Sequence, residues 1–291
     1  MIIHLENEKL AVTLSSFGGT IESIINKETG NEHYWKFDSD VWPRSTNICF
    51  PVCNGLTGGC YFFEGKKYDM PVHGFLRECD MAVEEQSATK AVLTLRPSDK
   101  TKEIYPFDFL FILTQELRGS EFHVSYTVEN IGSEDLYYSV GSHYCYKIPI
   151  VTGEDWDDYE YRFHGSQKAG KLLIEDGQVS GKTDDIFNGK DHLKLENFFE
   201  NGSTMLDLSD IKSHEIALAS NRSDAYTNVR FEGFDHCVLW APKDRFPFAC
   251  IEPWSGTLDQ KGHDGNLKNK AGITKLGTKE HRTYTQIITV K

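Results

Sequence analysis

Glu252 sits where an apolar run, FACIEPWSG from Phe248 to Gly256, meets a turn. Phe248, Ala249, Cys250 and Ile251 read as the end of a buried strand, and Pro253 cannot donate to a sheet ladder, so pairing is expected to stop there. A carboxylate at a strand end can face a cleft, where burial raises its pKa and a nearby donor lowers it, which suits a general base. Trp254 follows, and an indole beside a carboxylate suits a sugar ring, with an apolar face to stack on and a polar edge to hydrogen bond. A second set, HGFLR, places the imidazole of His73 next to Gly74, where backbone can approach a ligand closely, with Arg77 four residues on. A third, GSHYCYKIP, puts His143 after the strand-like DLYYSV and among tyrosines. An unperturbed pKa near 6.5 lets such a histidine deliver a proton to an oxygen. Taken singly, each set also has a purely structural reading. Glu252 would cap a turn while Trp254 fills core, His73 and Arg77 would lie at the surface, and His143 would be a satisfied core histidine.

These residues belong to a chain of 291 residues, long enough for a sizeable core, with 39% hydrophobic and 26% charged residues. That is a globular composition, and no low-complexity linker divides it, so one domain over residues 1–291 is expected. The net charge of −13 disfavours nucleic-acid phosphates and anionic membranes as partners and leaves a small neutral ligand easier to accommodate. MIIHLENEKLAV has no basic segment leading into an apolar one, and no run approaches a membrane span, so a cytoplasmic protein is expected. The seven cysteines (Cys49, Cys53, Cys60, Cys79, Cys145, Cys237, Cys250) include no CxxC pair and lie mostly in apolar runs. They read as reduced core residues, with no metal site expected.

The elements that must position the site are strands. In FHVSYTV, Phe122, Val124, Tyr126 and Val128 point one way and His123, Ser125 and Thr127 the other, the period of a half-buried strand. The runs KLAVTL, AVLTLRP, FDFLFILTQEL, EIALAS, NVRFEGF, HCVLWAP and TYTQIITV behave alike, separated by turn clusters such as FGG, RGS, NIGSED and NRSD. FFEGKKY signals a short hairpin, and no long stretch keeps a helical period. Many short strands without alternating helices indicate an all-β fold of antiparallel sheets stacked as a large sandwich or closed as a barrel. The polar, acidic segment from Val151 to Asp191 reads as loops with short strands at the surface or a cleft rim. The Gly-rich segment before His73 is no phosphate loop, because no GK[ST] follows it.

In this order, PVHGFLR, GSHYCY and FACIEPWSG resemble the aldose 1-epimerase (galactose mutarotase-like) family, as do FGGTIESI, YPFDF and, with the most specificity, FEGFDHCVLWAPKDRFPFACIEPWSG. The resemblance covers nearly the whole chain. It implies a single antiparallel β-sandwich, the galactose mutarotase-like supersandwich, with a sugar site in an open cleft on one sheet. It further implies an isomerase that interconverts the α and β anomers of an aldose. Glu252 matches the base that takes the anomeric proton and His143 the acid that protonates the ring oxygen, while His73 and Arg77 match residues that hydrogen bond sugar hydroxyls. No metal or organic cofactor is implied. Two departures from the pattern stand out. Asn54 and Gly55 stand where relatives often carry an arginine that helps hold the sugar, and Tyr144 follows His143 where many carry proline. Branches acting on hexose 6-phosphates use arginines, for which Arg44 and Arg77 are the candidates here. Two rivals need different residues. A noncatalytic carbohydrate-binding domain would use Trp254 and His73 without an acid–base pair, and a glycoside hydrolase would need a second carboxylate such as Asp259 or Asp235.

Overall fold

The computed structural model describes residues 1–42, 47–164, 170–195, 203–208, 214–241 and 245–291. Arg44 lies outside the described residues. The period-2 pattern read from FHVSYTV is realised in the strand Glu121–Asn130, where Phe122, Val124, Tyr126 and Val128 are fully buried while the alternate positions are partly exposed. Each of the other alternating runs also becomes a strand, namely Leu10–Ser15, Lys90–Leu95, Phe109–Arg118, Glu215–Ser220, Tyr226–Glu232, His236–Trp240 and His281–Val290. FFEGKKY folds as the expected hairpin, Cys60–Phe63 with Lys66–Asp69. Among the described residues, helix is confined to short 3-10 turns and the six-residue Asp99–Ile104, whose first turn is capped by the Ser98 hydroxyl accepting from the Thr101 N–H.

Two antiparallel sheets carry the fold. The larger has nine strands in the order His192–Lys194, Tyr159–Phe163, Glu215–Ser220, Tyr226–Glu232, His281–Val290, Glu121–Asn130, Phe109–Arg118, Lys90–Leu95 and Ala82–Gln86. The second runs from Gln178–Asp185 through Gly170–Glu175, Ser203–Asp207, His236–Trp240, Phe248–Trp254 and Gly141–His143 to Asn47–Cys49, with Cys145–Lys147 also paired to Phe248–Trp254. The sheets bury one face each against the other as a sandwich, and polar side chains bolt them together where apolar packing alone would leave donors unmet. Gln286 donates to Tyr126 Oη at 2.8 Å and to Ser142 Oγ at 2.7 Å, Tyr126 donates to Tyr144 Oη at 2.9 Å, and Tyr161 donates to the Cys250 carbonyl at 2.8 Å.

Two expectations need correction. Pairing does not stop before Pro253, since the strand Phe248–Trp254 continues through it, opposite Cys237 on one side. On the other side Gly141 pairs with Trp254 and Cys145 with Cys250, so Pro253 stands opposite Ser142, in the gap between those two stretches of ladder. The ladder is open there, and the Ser142 carbonyl takes the Trp254 indole N–H at 2.9 Å instead of a strand donor. The second correction is in Val151–Asp191, which supplies a buried strand of the nine-stranded sheet as well as a surface hairpin. Tyr159, Tyr161 and Phe163 alternate inward between Glu160 and Arg162, a period that the acidic composition around it conceals. Gly170–Glu175 and Gln178–Asp185, joined at Asp176 and Gly177 with positive φ, form the hairpin at the edge of the eight-stranded sheet.

Candidate active site

The strand Phe248–Trp254 is buried at every position because it has work on both faces. Ala249 and Ile251 point into the core between the sheets, while Phe248, Cys250 and Trp254 belong to separate clusters on the sheet's other face. Glu252 lies on that second face. The register on either side of the break, Gly141 with Trp254 and Cys145 with Cys250, sets His143 directly across from Glu252. Their side chains meet, with His143 Nδ1 at 3.6 Å from Glu252 Oε1. Tyr144 explains how the strand breaks without losing its place. Its ring turns into the core against Tyr34 at 6.0 Å, and its hydroxyl accepts from Tyr126, so Tyr144 anchors His143 from below.

Glu252 is 1% exposed, and among the described residues no N–H or O–H donor reaches either carboxylate oxygen, the Cys250 thiol being the one hydrogen-bonding neighbour. Burial pushes its pKa well above the usual carboxylate range, negative charge on the nearby Cys53 would raise it further, and the Cys250 thiol beside it acts in the opposite direction. The imidazole of His143 keeps 23% of its side-chain surface exposed, and Trp240 packs against it edge-on at 5.3 Å. A buried, unsatisfied carboxylate next to a partly open imidazole can exchange a proton with a bound hydroxyl on one side and an oxygen on the other.

His73 comes to the same place from the loop after the Lys66–Asp69 strand. Its backbone is left-handed (φ 66°), a strained conformation for histidine, and it is held by N–H donation to the Asn54 carbonyl at 3.0 Å and by acceptance from the Phe50 N–H at 3.1 Å. Gly74 must be glycine, because a Cβ there would fall 2.1 Å from the Phe50 carbonyl oxygen. His73 Nδ1 accepts from the Asn54 backbone N–H at 3.1 Å and has the Cys49 sulfur at 3.2 Å, which leaves Nε2 as the protonated, donating nitrogen. Its ring lies edge-on to His143 at 5.3 Å and to Trp254 at 5.6 Å. Arg77, 14% exposed on the 3-10 turn Leu76–Glu78, has Nε 3.6 Å from Glu78, and its charge lowers the pKa of the Cys49 thiol beside His73, against the larger effect of burial.

Trp254 occupies a different position from the stacking platform expected of it. It is 2% exposed, its N–H is taken by Ser142, and its ring lies so close over Gly141 that a Cβ there would come within 2.3 Å. It supports His73 from beneath. Asp259 does not join the site either, being locked in a buried ion pair with Lys270 at 3.1 Å, and Asp235 is exposed. Residues that sequence patterns did not single out line a cavity of about 420 Å³ beside this cluster, among them Lys171, Met205, Val238 and Leu258, with Asn54. Val238 pairs with Glu252 across the sheet, so the cavity adjoins the acid–base pair, and its size suits a small-molecule ligand. No spacing rule connects Lys171 to Glu252, because only the sheet order brings their strands to one face.

A family model described as aldose 1-epimerase matches residues 1–253. The chain belongs to the aldose 1-epimerase family. The matched span takes in His73, Arg77, His143 and Glu252. Among curated relatives of this aldose 1-epimerase family chain is the chromosomal protein LacX of Lactococcus lactis subsp. lactis, 29% identical over 290 residues, covering 95% of each chain. Among solved structures, a galactose mutarotase related enzyme from Lactobacillus acidophilus superposes with a TM-score of 0.94 at 23% identity, over 100% of this chain and 97% of that one. A galactose mutarotase-like protein from Lactobacillus casei gives 0.91 at 25% identity, over the whole of both chains. The galactose mutarotase-like sandwich expected from the sequence is therefore the fold. Among the described residues, no helix is long and apolar enough to cross a membrane.

Proposed function

We propose that this member of the aldose 1-epimerase family interconverts the α and β anomers of an aldose, with Glu252 as base and His143 as acid. The observation that carries the reading is the 3.6 Å approach of His143 Nδ1 to Glu252 Oε1 on the cleft face of the sheet. The anomeric hydroxyl and the ring oxygen of a pyranose are bonded to the same carbon, so the groups serving them must stand side by side. Glu252 takes the proton of the anomeric hydroxyl while His143 gives one to the ring oxygen. The bond from the anomeric carbon to the ring oxygen breaks, and its electrons leave with that oxygen as the aldehyde forms. Rotation about the adjoining carbon–carbon bond presents the other face of the carbonyl. Closure then returns both protons, with His143 accepting from the attacking hydroxyl and Glu252 protonating the new anomeric oxygen. Burial makes Glu252 the stronger base, and a protonated imidazole at this distance favours its charged form. His73, donating through Nε2, and Arg77 hold sugar hydroxyls in this scheme.

Lys171 in the adjoining cavity favours a second substrate reading, an aldose carrying an anionic substituent such as a hexose 6-phosphate. Polarimetry on freshly dissolved single anomers of several aldoses and of a hexose 6-phosphate tests both. Equilibration well above the buffer rate is expected for at least one sugar. Rates equal to buffer across the whole panel, together with measurable sugar binding, would replace the enzyme with a noncatalytic carbohydrate-binding domain.

A further inference from the structure

The break that places His143 opposite Glu252 also gathers sulfur. Cys145 and Cys250 are paired across adjacent strands, and their Sγ atoms lie 3.1 Å apart. Cys250 Sγ is 3.9 Å from His143 Nδ1, and one ligand atom from each of the three residues falls within 4.8 Å of the others. Glu252 borders the group, its buried carboxylate 3.6 Å from the same imidazole nitrogen. Tetrahedral zinc with bonds of about 2.3 Å to sulfur and about 2.0 Å to nitrogen or oxygen requires donor atoms roughly 3.3–3.8 Å apart. The separations here bracket that range.

We propose that Cys145, Cys250 and His143 form a binding site for a zinc-like divalent cation, with the Glu252 carboxylate beside it and a fourth position open. No CxxC pair announces it, since His143 and Cys145 lie two residues apart and Cys250 far along the chain. The sheet register supplies the spacing instead. Binding replaces two thiol protons by two metal–sulfur bonds, releasing both protons to solvent, and sets a cation next to the buried Glu252 carboxylate. The imidazole contributes its Nδ1 lone pair. A bound ion would take the Nδ1 lone pair of the acid and place a cation beside the base, so it would act as an inhibitor of the anomer chemistry. That consequence rests on the proposed function, whereas the binding itself does not.

Titration of the reduced, metal-free full chain with cobalt(II), followed by displacement with zinc, is the direct test. One equivalent of cobalt should give the intense visible bands of tetrahedral coordination and a thiolate charge-transfer band, all removed by zinc. Cys145→Ser and Cys250→Ser should each weaken binding by on the order of a hundredfold or more, since each removes a soft thiolate donor, while Cys79→Ser should bind as wild type. Wild type supplies a readout that needs no variant. Zinc should slow alkylation at Cys145 and Cys250, mapped by peptide mass spectrometry, and leave Cys60 unchanged. Absence of thiolate bands, equal binding in the serine variants, or alkylation at Cys145 and Cys250 indifferent to zinc would overturn the site. Anomer equilibration measured with and without zinc then separates the two proposals. Binding without any basal catalysis would remove the enzyme reading and keep the metal site, and catalysis without binding would do the reverse.

Discussion

Two buried carboxylates near the C-terminal end of the chain, Glu252 and Asp259, receive opposite treatment. Asp259 is 3% exposed, forms an ion pair with the equally buried Lys270, and accepts from the Thr57 backbone N–H at 2.8 Å. Burial works to raise its pKa, but the Lys270 charge and the Thr57 hydrogen bonds outweigh it, and its carboxyl is held below the usual range. Lys270 in turn donates to the Thr257 carbonyl at 2.8 Å, so the acid and its counter-ion both have partners. Glu252 is buried as deeply, has among the described residues no counter-ion or N–H donor beyond the imidazole of His143 and the weak Cys250 thiol, and its carboxyl is driven the other way. A buried charge with its partners supplied fixes one loop to another. A buried carboxylate left short of partners is a standing cost to the fold, of about 1–3 kcal/mol for an unsatisfied group, and is retained where something else must come to it.

The sharpest way to break this contrast is to neutralise each acid in turn. Glu252→Gln keeps shape and hydrogen-bonding capacity but removes the base, so anomer equilibration should fall by roughly a hundred- to ten-thousandfold while sugar affinity changes little. The melting temperature should hold or rise, because a buried unpaired acid has been replaced by a neutral amide. His143→Asn should lose turnover likewise. The double variant should be little worse than the poorer single one, since the two proton transfers serve one step. Near-normal turnover in Glu252→Gln would refute the assignment.

Asp259→Asn should do the converse. It leaves Lys270 buried without its counter-ion, so stability by chemical denaturation should drop by about 3 kcal/mol, the scale on which half of a buried ion pair is missed. Turnover per folded molecule should stay near wild type. Comparable loss of turnover at unchanged stability would mean that Asp259 takes part in the chemistry and that the contrast between the two acids is misdrawn.

How much of this was legible beforehand follows from what each residue's signal depends on. The sandwich was readable because runs such as FHVSYTV and TYTQIITV carry their period within themselves, and burial on one face enforces it. Glu252, His143, His73 and Arg77 were found as separate local motifs, and register then brings His143 onto Glu252. The fate of Trp254 was not legible, because whether an indole faces a cleft or fills a core depends on Gly141, which lies beneath its ring from a distant strand. Nor was the continuation of the strand through Pro253, which needs the break opposite it to be known. Lys171, Cys145 and Cys250 gain their meaning only from sheet order, which carries no mark in any one stretch.

Tyr144 tests a smaller part of the contrast, the support beneath the acid. Its hydroxyl accepts from Tyr126, which in turn accepts from Gln286, so Tyr144→Phe removes the end of a buried chain and leaves the Tyr126 hydroxyl proton without its acceptor. The expected loss of stability is about 1–2 kcal/mol, with a several-fold fall in turnover as His143 gains freedom. Tyr126→Phe in the same background should cost less than it does in wild type, because the Tyr144 hydroxyl is already gone and only the Gln286 donor loses its acceptor.

A histidine far from the cleft shows burial acting alone, and it gives the smallest effect at neutral pH. His33 is fully buried, with one ring nitrogen 3.0 Å from the Thr227 hydroxyl and the other unpartnered. Burial, with help from the Lys147 charge, lowers its pKa to about 3. In the unfolded chain the same imidazole takes up its proton near pH 6.5, so between those values unfolding binds a proton that the native state refuses. The sign follows directly. The stability that a neutral His33 supports is present above about pH 6.5 and is lost as pH falls towards 3, by up to about 1.4 kcal/mol per pH unit. Replacing it with an uncharged residue of similar reach, His33→Gln, should leave stability at pH 8 within about 1–2 kcal/mol of wild type, the range for one altered buried hydrogen bond, and should flatten the acid side of the profile. Urea denaturation of both proteins at half-unit intervals from pH 8 to pH 4 measures the difference. If the two profiles run parallel through that window, His33 is protonated in the folded protein as readily as in the unfolded one, and burial without a partner is not what holds it neutral.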